Sequence, residues 1–234
     1  MSNKPTIILV HGFWGGAAHW AKVIPILARQ GYDVHAVENP LTSLADDSAR
    51  TKKMIAQQKG PVLLVGHSYG GAVITEAGNQ PNVVGLVFIA AFAPDAGESL
   101  LDVGAAFPAP PGVANAAPDS DGYVWINPKK FGESFCQDLT AEEQLVMAVT
   151  QKAPVGGVFA DKITVPAWKS KPSWYQVSSE DRMIAPENEK RLAERMKAKK
   201  IITLKASHAS LASMANEVAA FIVEAAVATA GNAD

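Results

Sequence analysis

The chain has 234 residues, 48% of them hydrophobic, and a formal charge of −2. That is enough apolar material for one substantial core and gives no electrostatic reason to hold a polyanion. One cysteine, Cys136, rules out an intrachain disulfide and a cysteine-rich structural zinc site, and no Lys/Arg stripe with interleaved aromatics argues for nucleic acid.

The first residues, MSNKPTIILV, lack the apolar core of about 7–15 residues that marks a signal peptide. The longest apolar run, VVGLVFIAAFA at Val83 to Ala93, is far too short to cross a bilayer. A cytoplasmic protein with no membrane partner is the expectation, with monomer and homodimer both open.

Thr6 to Val10 is a continuous aliphatic and β-branched run, the pattern of a strand covered on both faces, and it stops at His11-Gly12. From His19 to Arg29 the positions Trp20, Val23, Ile24 and Leu27 share a helical face, with Gly31 as a stop. A strand is predicted at Tyr32 to Val37, a polar helix after the loop Glu38 to Thr42 and running to about Gln58, and a strand at Val62 to Val65. A helix from Gly70 to Asn79 and a strand from Val83 to Ile89 follow. Ser173 to Val177 and Ile201 to Leu204 complete the strands, alternating with helices at about Pro186 to Lys197 and Met214 to Ala228. Repeated βα units with short links predict one α/β fold, a mainly parallel six-stranded sheet with helices on both faces.

Residues 94–166 break this rhythm. AAFPAPPGVANAAPDSDGY is rich in Pro, Ala and Gly and reads as irregular, and a helix is predicted after Thr140, where Thr140 and Glu143 have capping-box spacing. An insertion there is expected to form a cap or lid over the carboxyl edge of a core made of residues 1–93 and 167–234, because open α/β sheets bind ligands at that edge.

VGHSYGG, Val65 to Gly71, places Ser68 between a strand and a helix with Gly66 and Gly70 on either side. A serine hydroxyl is a weak nucleophile that needs a base within reach. The Gly-x-Ser-x-Gly turn is sharp enough to expose it, provided its neighbours have no side chains. The turn also aims the Tyr69 amide at the place where an acyl oxyanion would form. A second amide is expected from HGFWGG after the first strand, either Phe13 or Trp14.

Of five histidines, His67 lies inside the turn and is expected to point away from the exposed side of the serine. His35 lies in a strand, and His11 and His19 flank the glycine-rich loop. Only His208 follows the last strand, which places it at the carboxyl edge and completes a Ser…Asp…His chain order. The acid that orients it is Asp181, with Glu180 and Asp95 as alternatives.

ILVHGFWGGAAHW, VGHSYGGAV, FIAAFAPDAGES, VPAWKSKPSWYQVSSEDRMIAP and ASHASL together resemble the α/β-hydrolase superfamily over almost the whole chain. More narrowly, they resemble small bacterial esterases related to plant methyl-salicylate esterases and hydroxynitrile lyases. The resemblance implies Ser68 as nucleophile, His208 as base and then acid, Asp181 as its partner, and the Phe13 and Tyr69 amides as an oxyanion hole. The family sheet usually opens with an antiparallel hairpin, for which this chain starts too close to Thr6. The S-selective hydroxynitrile lyases carry a threonine near the end of the first strand and a lysine directly after the catalytic histidine. Here His11, Gly12 and Phe13 follow the strand and Ala209 follows His208.

These residues predict a serine carboxylesterase acting on small to medium hydrophobic esters or lactones, with no cofactor and no metal. Lyase-like cleavage and a non-catalytic small-molecule receptor are the alternatives. Trp14, Phe92, Phe107, Trp125, Phe135 and Trp168 are the expected pocket aromatics, with Phe131 and Phe159 also in the insertion.

Overall fold

A computed structural model describes residues 4–230. In chain order its elements are β1 (Thr6–Val10), α1 (Ile24–Arg29), β2 (Val34–Val37), α2 (Leu44–Ala56), β3 (Val62–Ser68), α3 (Gly70–Ala77), β4 (Val83–Ala91), α4 (Leu100–Gly104), β5 (Ala116–Pro118), β6 (Val124–Ile126), α5 (Phe131–Phe135), α6 (Ala141–Val149), β7 (Ser173–Ser178), α7 (Pro186–Arg195), β8 (Lys200–Leu204), α8 (Ser210–Ser213) and α9 (Ala215–Ala230).

Six strands form one parallel sheet in the order β2-β1-β3-β4-β7-β8. Alternation along the strands divides the core in two, as the period of two requires. Ile7, Leu9, Leu63, Val65, Val87, Ile89 and Trp174 pack under α1 and α9 through Leu27, Val218, Phe221 and Ile222. Ile8, Val10, Leu64, Phe88, Tyr175 and Val177 face α2, α3 and α7 through Ile55, Val73, Ile74 and Leu192. With both faces covered, β3 is buried along its whole length, which explains its unbroken apolar run. No helix among the described residues is long and apolar enough to cross a membrane.

Two stretches depart from the sequence reading. The helix expected over 19–29 is divided into a 3₁₀ turn at Ala17–Trp20 and α1, because Pro25 sits in the first turn of α1. A proline deeper inside a helix would remove an amide bond and clash with the preceding turn. Residues 105–123, read as irregular, hold β5, which pairs antiparallel with β6, and just before them the unpredicted α4 starts behind a Ser99/Asp102 capping box. Elements of three to five residues are too short to print a period. The capping box at Thr140 and Glu143 does start a helix, α6, but Leu145, Val146 and Val149 on that helix are exposed.

Candidate active site

The loops that follow β1, β3, β4, β7 and β8 all leave the same carboxyl edge of the parallel sheet, and there the sequence-predicted residues meet. Ser68 ends β3 in a left-handed conformation, φ 55°, which an L-residue adopts only when its surroundings impose it. The glycines around it explain how. A Cβ on Gly66 would lie 2.5 Å from the Gly70 carbonyl oxygen, and one on Gly12 would lie 2.5 Å from Ser68 Cβ. The β1 loop therefore passes directly against the serine, and the chain can turn from β3 into α3 only without those side chains. The Phe92 amide fixes the turn from the other side by donating to the Ser68 carbonyl at 3.0 Å.

The His208 ring lies beside this hydroxyl. Ser68 Oγ and His208 Nε2 are 2.8 Å apart, and His208 Nδ1 is 2.5 Å from Asp181 Oδ2. Since Asp181 accepts, the ring proton sits on Nδ1 and Nε2 is free to accept from the serine. Asp181 Oδ1 takes the amides of Met183 at 2.6 Å and Ile184 at 2.9 Å, which hold the carboxylate in place. All three residues are buried: His208 is 0%, Ser68 3% and Asp181 5% exposed. The two alternatives to Asp181 lie elsewhere. Asp95 pairs with Lys169 and Glu180 with Lys205.

On the β1 loop, the Trp14 amide donates to the Lys152 carbonyl at 3.0 Å, whereas the hydrogen bonds among the described residues leave the Phe13 and Tyr69 amides free. The rings of Phe13 and Tyr69 stack at 4.1 Å, and the Tyr69 hydroxyl donates to buried Asp47 at 2.7 Å, which clamps the residue after the serine to α2. Burial holds the Tyr69 hydroxyl well above the ordinary phenol range and raises the Asp47 carboxyl.

The expected pocket aromatics divide into two groups. Phe135 sets its edge against the His208 ring at 4.8 Å, Phe92 reaches Ser68 through its backbone, and Trp14 touches Phe13 edge-on while its indole donates to Val124. Phe159, from the insertion, lies 4.6 Å from Phe13. The other three have partners outside this group. Trp168 donates to Pro94 and lies under Lys169 and Arg195, Phe107 lies under Arg191, and Trp125 bonds Asp119 on the exposed hairpin. Two surface cavities of about 410 and 300 Å³ open elsewhere, the first beside Ser48, Lys52 and Asp161 and the second beside Lys22, Leu139 and Met147.

Several supporting contacts are announced by no sequence motif. The His67 Nε2–H donates to the His208 carbonyl at 2.8 Å and ties β3 to the loop after β8. Burial and the nearby His208 ring hold His67 well below the usual histidine value, and burial lowers His19 to about 4. From the insertion, Asp138 accepts the Ser207 amide at 2.8 Å and Gln137 donates to the Glu180 carbonyl at 2.7 Å. Such contacts join residues far apart in the chain, so no local spacing reveals them. Cys136 is buried, with its thiol pushed up to about 12, and is poorly suited to act as a nucleophile. Among the described residues, no three His, Cys, Asp or Glu side chains converge as metal ligands would.

Comparison with known proteins agrees with this fold. A model described as "Alpha/beta hydrolase family" matches residues 7–221. The chain is 32% identical to a carbendazim hydrolyzing esterase of Nocardioides sp. over 108 residues, 40% of this chain and 45% of that protein. It is 33% identical to an alpha-hydroxynitrile lyase of Arabidopsis thaliana over 110 residues, 41% of this chain and 43% of that protein. Each match thus spans under half of the relative's length. A solved pyrethroid hydrolase from Sphingobium faniae superposes with a TM-score of 0.81 at 21% identity, covering 97% of this chain and 99% of that one. A family match running from β1 into α9, on the same sheet, shows that the chain belongs to the alpha/beta hydrolase family.

Proposed function

We propose that this protein is a serine esterase that cleaves small to medium hydrophobic carboxylic esters or lactones through an acyl-enzyme on Ser68. The observation that carries this reading is the continuous chain Ser68 Oγ–His208 Nε2, His208 Nδ1–Asp181 Oδ2 at 2.8 and 2.5 Å. Ser68 Oγ attacks the ester carbonyl carbon while His208 Nε2 takes its proton. The tetrahedral oxyanion is held by the Phe13 and Tyr69 amides, and its collapse expels the alcohol, which leaves with the proton from His208. Water then gives a proton to His208, attacks the acyl carbon and releases the acid, restoring Ser68. Asp181 keeps the ring in the required tautomer and stabilises its cation.

The segment 94–166 acts as the cap, with Phe135 and Phe159 as apolar walls beside the histidine and the Phe13 loop. An apolar wall favours hydrophobic acyl or alcohol groups over charged ones. Similarity to a carbendazim hydrolyzing esterase supports ester cleavage. Against lyase chemistry of the S-selective kind stands Ala209 directly after His208, where such a lyase would carry a lysine.

The test is turnover of short p-nitrophenyl esters with an initial acyl burst, together with labelling by a fluorophosphonate. Ser68→Ala is expected to lower kcat by at least about 10⁴-fold and to abolish labelling, with the melting temperature little changed. Undiminished turnover in that variant, or a label on another residue, sinks the reading.

A further inference from the structure

Behind the Asp181–His208 pair lies a second acid that the mechanism above does not use. Glu189, on α7, is completely buried. Its Oε2 accepts the Ser178 amide at 2.9 Å, while Oε1 is buried with no donor among the described residues. Through the Ser178 bond Glu189 sits against the turn that carries Asp181, whose own amide donates to the Ser178 carbonyl at 3.3 Å, and the Asp181 carboxyl is near enough to act on Glu189 through its charge. Two carboxylates cannot bond each other, because both are acceptors; an acid and a carboxylate can. The donors around the pair decide which group holds the proton. Asp181 already accepts from His208 Nδ1, Met183 N and Ile184 N, whereas Glu189 accepts from Ser178 N alone. Hydrogen bonds to the charged form favour that form, so the anion belongs on Asp181.

We propose that Glu189 is a protonated positioning residue, donating its carboxylic O–H to Asp181 while its other oxygen accepts the Ser178 amide, so that the reactive row reads Glu189–Asp181–His208–Ser68. This deepens the esterase reading and rests on it for the role, although not for the proton. The surroundings agree. Burial raises the Glu189 acid well above the ordinary carboxylate range, and the charge of Asp181 raises it further, against a smaller opposing pull from Lys190 on the same helix. From β7, the other titratable group facing it is the neutral Tyr175 hydroxyl, which is bonded to the Ala91 carbonyl. The donated proton spreads the charge of Asp181 and fixes its plane, so the carboxylate steers His208 without holding the imidazolium too tightly to release its proton to the leaving alcohol.

The decisive measurement is the infrared spectrum of the intact protein at neutral pH in H₂O and D₂O, wild type minus Glu189→Gln. A protonated-acid carbonyl band that downshifts in D₂O and vanishes in the variant is expected. Because it needs no turnover, it separates the two claims: a band in a protein that hydrolyses no ester keeps the proton and sinks the esterase, and turnover lost on Ser68→Ala without a band does the reverse. In the pH profile of kcat/KM, Glu189→Gln, which can still donate to Asp181 and accept from Ser178, is expected to stay within about threefold of wild type with its acidic limb in place. Glu189→Leu removes the donor and is expected to cost about ten- to a hundredfold and move the acidic limb to higher pH. A Gln variant whose acidic limb moves to lower pH would mean that an anion had been removed, and would overturn the proposal.

Discussion

At the β3 end of the hydrogen-bonded row, Ser68 is held by backbone pressed on backbone; at the β7 and β8 end, Asp181 and His208 are held by hydrogen bonds. The first region works by exclusion. A single methyl on Gly12 or Gly66 has nowhere to go, and the 55° φ of Ser68 persists because the neighbouring loops leave no alternative. The second works by donors and acceptors from five places: the Met183 and Ile184 amides on Asp181, His67 on the His208 carbonyl, Asp138 on the Ser207 amide and Glu189 behind Asp181. Steric fixation is insensitive to pH and unforgiving of added volume. Polar fixation tolerates volume better, but depends on which atom holds each proton.

The contrast can be broken at several points. The largest expected effect is at the polar end: Asp181→Asn replaces the acceptor with a group that can present its amide protons to His208, and kcat for ester hydrolysis should fall about 10⁴-fold at unchanged fold, as read by steady-state kinetics beside circular dichroism. At the steric end, Gly66→Ala should act on folding as well as on rate. The clash is with backbone, so a loss of about 1–3 kcal/mol in denaturant unfolding is expected, together with reduced activity. A neutral outcome there would show that the turn has slack and that exclusion does not hold the serine.

His67→Leu links the two ends. It leaves the His208 carbonyl without its buried donor, and is expected to cost about 1–3 kcal/mol in stability and to lower kcat more than it alters KM. The smallest and most gradual effect is with pH. His19 and His67 are neutral in the folded protein at values below that of the free side chain, His19 at about 4, because burial disfavours their charged forms. Between pH 6.5 and about 4 the unfolded chain takes up a proton that folded His19 refuses. Its contribution is therefore intact above 6.5 and is lost as pH falls, by roughly 3 kcal/mol in all. Melting temperatures across that window should fall with acid in the wild type and fall less in His19→Asn; parallel curves would remove His19 from the account.

The β1, β3 and β4 strands, the serine turn and the position of His208 after the last strand were legible because each follows from short local patterns and their order in the chain. An aliphatic run reads as a doubly covered strand, glycines on both sides of a serine between strand and helix read as a tight turn, and a histidine after the last strand can only lie at the carboxyl edge. The short α4 and β5 were not legible, since elements of three to five residues show no period.

By itself, then, the sequence determined the layered α/β order, the turn that presents Ser68, and the short list of partners for it. Only the tertiary structure decided among them. It placed Asp181 rather than Asp95 against His208, tied up the Trp14 amide while leaving that of Phe13 free, and buried Glu189 behind the pair. The physical reason is that periodicity and turn chemistry act over a few residues, whereas hydrogen-bond partners and burial are set by elements that meet only when the sheet has formed.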